Sequence, residues 1–196
     1  MAKVDDVAAA LVSYVGQMSA MKLEKLAYYA QAWHLVRHGE SLFADRIEAW
    51  REGPVVPALY ESHRRLYTIT EWQAGDASRL TEQERATVSW VVEKYGAFTA
   101  ESLSRMTHAE VPWRAARAGL PPTALSNRVI GPREMTAYYS RQQADPDTAV
   151  ELAAASAALE GVQLDAGWQA RLREVAAGTL SADDLISEEI ARARRA

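Results

Sequence analysis

The sequence predicts a mainly α-helical protein, and three observations carry that expectation. Apolar residues recur at three- and four-residue spacing along most of the chain, as Val4, Val7, Ala8, Leu11, Val12 and Val15 do. Helix-start chemistry stands in front of such runs, with Thr81 three residues before Glu84 and a proline at 112. A single stretch, Leu42 to Gly53, shifts toward period two through Phe43, Ile47 and Trp50, and predicts at most a short strand element.

The elements follow in order. A first helix is expected over about 4–17. A second, over about 21–37, runs through Leu23, Leu26, Ala27, Ala30, Trp33 and Leu35 and stops at Gly39, a C-cap residue. Pro54 is expected at the first turn of a helix reaching about Leu66. Thr70 to Leu80 reads as a surface loop with turn chemistry at Gly75-Asp76. The Thr81–Glu84 capping box opens a helix to Tyr95, closed by Gly96, and Thr99 with Ser102 opens a shorter one to Thr107. Pro112 starts another to Gly119, which Pro121-Pro122 cuts off, and Gly131-Pro132 introduces a helix to about Gln143.

Composition changes at Asp145-Pro146, a good N-cap followed by a good first helical residue. The chain is therefore divided into a helical domain, 1–144, and a three-helix segment, 145–196. In the latter, an Ala-rich helix ends at Gly161, Asp165 opens a second that stops at Gly178, and Ser181 with Asp184 caps a third. Large apolar side chains are sparse there, so the segment buries a thin core and gains most by packing on something else.

With 48% hydrophobic and 24% charged residues, the 196-residue chain has the composition of a folded protein. It has no cysteine, which excludes disulfides and thiolate metal sites and points to a reducing cytoplasm. The first residues, Met1 to Asp6, lack a cationic leader, and no apolar run approaches the roughly 20 residues that span a bilayer. Six Trp and eight Tyr against two Phe suggest aromatic side chains with a polar end at a partly wet surface.

Charge is uneven. The net −4 divides into +1 over residues 1–144 and −5 over 145–196. A near-neutral front and an acidic tail argue against a nucleic-acid interface, leaving at most autoregulation of the chain's own promoter, and the acidic tail suits a basic protein partner. The arginines at 192, 194 and 195 read as favourable charge at a helix C-terminus.

Enzymatic signatures are missing. There is no Gly-rich phosphate loop, no nucleophile elbow and no His-Glu-x-x-His. His34 and His38 stand at metal-ligand spacing on one helix, yet no acidic residue lies one turn away, so they read as ordinary histidines. Glu61 and His63 are close in sequence but not at helical contact spacing. The expectation is a non-enzyme with no cofactor and no metal.

Two resemblances give the chain a direction. Lys25-Leu26, Tyr28-Tyr29, Gly39, Leu42-Phe43, Ala49-Trp50, Gly53-Pro54-Val55 and Tyr60, with His108 and Pro112-Trp113 further on, resemble the SocA/GepA-type antitoxin domain, also called Panacea, over residues 1–143. Its family-motif residues here are Lys25, Tyr29, Trp50, Gly53, Pro54 and Trp113. Structural roles suffice for most of them: Trp50 and Trp113 as core, Gly53 as a point of tight approach, Pro54 as a helix start. Such a resemblance implies a mainly helical domain found in antitoxins of many unrelated toxins.

Residues 145–196 are similar to a VbhA-type antitoxin, the small helical inhibitor of Fic-type adenylylating toxins. The shared core is Ser156-x-x-x-Glu160-Gly161, followed by a second helix, Gly178-Thr179-Leu180 and a helix ending in arginines. Ser156 and Glu160, four apart, share one helix face. The resemblance implies that Glu160 pairs with a toxin arginine that would otherwise hold the γ-phosphate of ATP, with Ser156 steadying it and Gly161 ending the helix. Leu152, Leu159, Val162 and Trp168 are the expected toxin contacts, in the helix-in-groove mode. The expected partner is thus a Fic-domain toxin. The alternative is an antitoxin or proteolytic adaptor acting through the SocA-like domain on a different toxin.

Overall fold

The computed structural model describes residues 1–143 and, beyond them, residues 150, 151, 154, 155, 157, 158, 161–176, 180, 181, 185 and 186. The chain divides into two compact units, Met1–Tyr139 and Ser140–Ala196. The architecture is mainly helical, as the periodicity predicts.

In the first unit the order is α1 (Val4–Val15), β1 (Met18–Ser19), α2 (Ala20–His38), β2 (Ile47–Trp50), β3 (Gly53–Val55), α3 (Pro57–His63) and β4 (Thr68–Ile69). A 3-10 turn at Ala77–Arg79 leads to α4 (Glu82–Tyr95), α5 (Ala100–Ala109), α6 (Val111–Ala116), β5 (Val129–Ile130) and α7 (Pro132–Gln143). The strands form two small antiparallel sheets, β1 with β4 and β2 between β3 and β5. The second unit contains α8 (Ala166–Ala176). No helix among the described residues is long and apolar enough to cross a membrane.

Local signals explain most boundaries. Thr81 and Glu84 form the reciprocal capping box, and Thr99 accepts from the Ser102 amide in front of α5. Gly39 closes α2 in the left-handed conformation, donating its N–H to Leu35 O. Asp165 accepts from the Trp168 amide at 2.8 Å and caps α8.

Around α2 the chain builds its core. The spacing of its apolar residues suggests one buried stripe, but the helix is buried on every face from Leu23 to Leu35. Four polar side chains go in with it, and each finds a partner on another element. Glu24 takes the His63 ring and the Val56 amide, and Lys25 donates to the Pro54 carbonyl. Gln31 holds both the Leu42 and Phe43 amides and the Phe43 carbonyl, and His34 bonds Thr87 of α4. An unsatisfied buried group would cost about 1–3 kcal/mol, so these contacts fix where the hairpin and α4 sit.

Pro54 does not begin a helix. It lies in edge strand β3, opposite Ala49, where its missing N–H costs no ladder bond to a further strand. The helix starts three residues later, with Pro57 at its first turn. The residue before a proline is pushed out of helical space, and Val56 is extended at φ −95°, ψ 104°. That rule places the boundary after Val56 rather than before Pro54.

Candidate functional site

Most of the sequence-predicted motif residues of the first unit meet at the β2–β3 hairpin. Lys25, 1% exposed, reaches from α2 under Gly53 to donate to the Pro54 carbonyl at 3.1 Å. Gly53 has φ +110°, and a Cβ there would meet Lys25 Cε at 2.5 Å and Thr107 Oγ1 at 3.1 Å. The backbone angle therefore requires glycine, and a Cβ would also displace the end of the Lys25 side chain. Burial pulls the Lys25 pKa down to about 8, against the charges of Glu24 and Glu52, which raise it.

Trp50 and Trp113 correct the core expectation, for both are only half-buried. The Trp50 indole donates to Glu48 Oε2 at 2.7 Å and packs edge-on against Tyr60, with centroids 4.8 Å apart. The Trp113 indole donates to the Trp50 carbonyl at 2.9 Å, and its ring stacks on His108 at 4.1 Å. Each indole N–H is spent on fixing the hairpin, and the Arg117 guanidinium lies over the Trp113 ring at 5.1 Å. Burial and the nearby Lys25 charge hold the His108 pKa below its ordinary value, and its Nε2 is buried without a hydrogen-bond partner.

Below this wall lies a pair that sequence reasoning missed. His63 Nε2 and Glu24 Oε1 are 2.7 Å apart, each under 5% exposed. The other Glu24 oxygen accepts from the Val56 amide, so the carboxylate anchors the start of α3 while the imidazole anchors its end. No local spacing announces this pair, whose members are 39 residues apart.

Tyr29 lies elsewhere, in a buried aromatic cluster. Its hydroxyl donates to Glu110 Oε1 at 3.0 Å, and Tyr139 donates to Glu110 Oε2 at 2.6 Å. Tyr29 also stacks flat on Tyr95 at 4.1 Å. Desolvation raises the Glu110 pKa to about 7, with the Tyr139 and Tyr29 hydrogen bonds pulling the other way. Glu110 has no signature in the sequence.

Two concavities open beside the hairpin. The larger, about 720 Å3, has Lys25, Trp50, Tyr60, Leu66 and Tyr67 on its walls. The smaller, about 510 Å3, runs from Glu48 and Trp50 to Leu125. Trp50, Glu52 and Val55 line both.

Residues 23–114 match the model of the antitoxin SocA-like family, Panacea domain. The match spans just under half of the chain and is narrower than the 1–143 expected, although it contains every Panacea-motif residue from Lys25 to Trp113. Before the matched segment, α1 packs through an apolar face made by Val4, Val7, Ala8 and Leu11, which carries no signature. No curated protein and no solved structure matches the chain.

Within the matched segment, the i, i+4 histidines are internal struts. His34 Nδ1 and His38 Nε2 both reach Thr87 Oγ1, at 2.9 and 3.2 Å. Burial, then the neighbouring His38, lowers the His34 pKa. Among the described residues, no group of three or more His, Asp or Glu side chains could hold a metal ion.

Of the tail's motif, Ser156 and Glu160 lie outside the described residues, as do Leu152 and Leu159. Gly161 is at φ +83°, donating to Ala158 O at 3.1 Å, while Val162 N donates to Ala157 O at 2.8 Å. Those two bonds are the paired pattern of a Schellman C-cap. Val162 is 53% exposed and Trp168, on α8, is half-buried.

Proposed function

We infer that this chain is the non-enzymatic antitoxin of a toxin–antitoxin pair, and that residues 145–196 silence a Fic-type AMP-transferase. The antitoxin role rests on one observation, the Panacea match over residues 23–114. The Fic partner rests on the Ser156-x-x-x-Glu160-Gly161 pattern, and the C-cap geometry at Gly161 supports a helix that ends where this motif requires.

In this reading Glu160 is delivered to the toxin's nucleotide pocket and pairs with the arginine meant for the terminal phosphate of ATP. A charge-assisted, bidentate pair competes well with phosphate for the same guanidinium. ATP is then excluded or misaligned, which removes in-line positioning of the transferred AMP group. Ser156 steadies the carboxylate, and Leu152, Leu159, Val162 and Trp168 supply apolar grip.

The test is co-expression with a Fic-type AMP-transferase, followed by co-purification and an AMP-transfer assay. Glu160→Gly is expected to leave the complex intact and restore transfer. Full inhibition by that variant overturns the carboxylate mechanism.

A second reading has its own support, because the family match falls on 23–114 and not on the tail. Here the Panacea segment is itself the neutraliser, or an adaptor handing a toxin to a protease. Protection by residues 1–144 alone favours this reading, and protection by 145–196 alone favours the first.

A further inference from the structure

The two concavities beside the β2–β3 hairpin share Trp50, Glu52 and Val55, so they adjoin as one trough. At its wall sits a buried cation with spare hydrogen-bonding capacity. The Lys25 ammonium carries three donors, and one neutral acceptor, Pro54 O, is its hydrogen-bond partner. Among the described residues it forms no ion pair. Both nearby carboxylates are engaged elsewhere, Glu24 with His63 and the Val56 amide, Glu52 with Arg51 Nε at 2.7 Å. A buried charge held by one carbonyl is under-compensated, and a carboxylate arriving through the trough would complete it.

The ends of the trough are apolar and exposed. Leu66 and Tyr67 are 53% and 93% exposed on the larger concavity, and Leu125 is 86% exposed on the smaller. Such side chains left in water at the rim of a groove mark a protein-binding surface rather than a fold requirement. Acidic and basic side chains balance on the lining, which lacks the basic excess that a nucleic-acid strand requires.

We propose that this trough is a peptide-docking surface for a partner segment that carries one Asp or Glu between apolar residues. The carboxylate meets Lys25, and the apolar residues lie on Leu66 and Tyr67 at one end and on Leu125 at the other. Because the trough continues past Lys25 toward Leu125, the acid belongs to a side chain inside the segment rather than to a chain terminus. All of these residues lie in the first unit, and none is part of the tail motif, so the proposal stands or falls independently of Glu160.

The experiment pans a random heptapeptide phage library over the immobilised full-length protein. The expected selection is of sequences with one acidic residue flanked by apolar ones. For the best synthetic peptide, replacing its acid by the amide should weaken binding at least tenfold. Lys25→Met should bind acid and amide forms equally. Tyr67→Ser, at a side chain too exposed to affect folding, should weaken both forms severalfold. Absence of enrichment, selection of acid-free sequences, or full binding by Tyr67→Ser overturns the proposal, even if Lys25→Met fails to fold.

Discussion

Lys25 passes so close to Gly53 that a Cβ on the glycine would stand 2.5 Å from the lysine Cε. The helix and the hairpin are therefore matched to each other at one point, with the Pro54 carbonyl just beyond it as the lysine's acceptor.

Gly53→Ala should accordingly be costly. The φ of +110° strains any L side chain, and the lysine must also move, so a loss of at least about 2 kcal/mol is expected in urea unfolding. Combining it with Lys25→Ala should cost clearly less than the two single losses together, since the clash partner is gone. Additive losses would show that the two residues are not coupled.

Gln31 offers a second test. Its amide serves the Leu42 amide at 2.8 Å, the Phe43 amide at 3.1 Å and the Phe43 carbonyl at 3.1 Å, all buried. Gln31→Leu keeps the volume and strands these groups, for an expected loss of about 2–4 kcal/mol. Hydrogen exchange at the Leu42 and Phe43 amides should accelerate more than exchange in α4. Unchanged protection there would contradict the assignment.

Glu110 predicts a pH dependence with a definite sign. Its folded pKa of about 7 lies above the ordinary 4.5, because burial disfavours the charge. Between these values the folded state holds a proton that the unfolded state has released, so stability falls as pH rises through this window and levels off above it. The contribution amounts to up to about 3 kcal/mol. Glu110→Gln should flatten the slope between pH 5 and 7 in chemical denaturation and gain relative to the native chain at pH 8. A steeper slope in the variant would refute this origin.

For the tail, Gly161→Ala is the informative change. Among the described residues nothing lies within 4 Å of the added methyl, so the cost comes from the left-handed backbone, about 1 kcal/mol. The Val162 amide, bonded to Ala157 O at 2.8 Å, should exchange faster while the amides of α2 stay as they were. Equal protection of Val162 in both proteins would show that the cap does not depend on glycine.

Helix ends were legible in the sequence wherever their chemistry is local. Thr81 with Glu84, Thr99 with Ser102, Pro112 and Asp165 all act within a few residues of where they stand. Pro54 misleads because two prolines compete three residues apart, and deciding between them needs the constraint on Val56 as well as the preference for proline at a first turn. The Gly53 close approach could be anticipated, but not that Lys25 is what approaches. Glu24 with His63, and Glu110 with Tyr29 and Tyr139, escaped for a different reason. Their partners are 29 to 81 residues apart, and nothing in either neighbourhood encodes the other. The exposed side of Trp50 was hidden in the same way, since an apolar residue in a strand reads as core until its neighbours are placed.

The hydrogen bond from Tyr139 to Glu110 crosses the edge of the matched segment, which ends at residue 114. A fragment cut at those borders would strand a half-partnered carboxyl in its interior and lay bare the faces of α2 and α4 that α1 covers. What can be moved intact between proteins is therefore larger than its recognisable signature. Grafting experiments should carry Met1 through Tyr139, because the silent flanks close the structure that the recognisable part only begins.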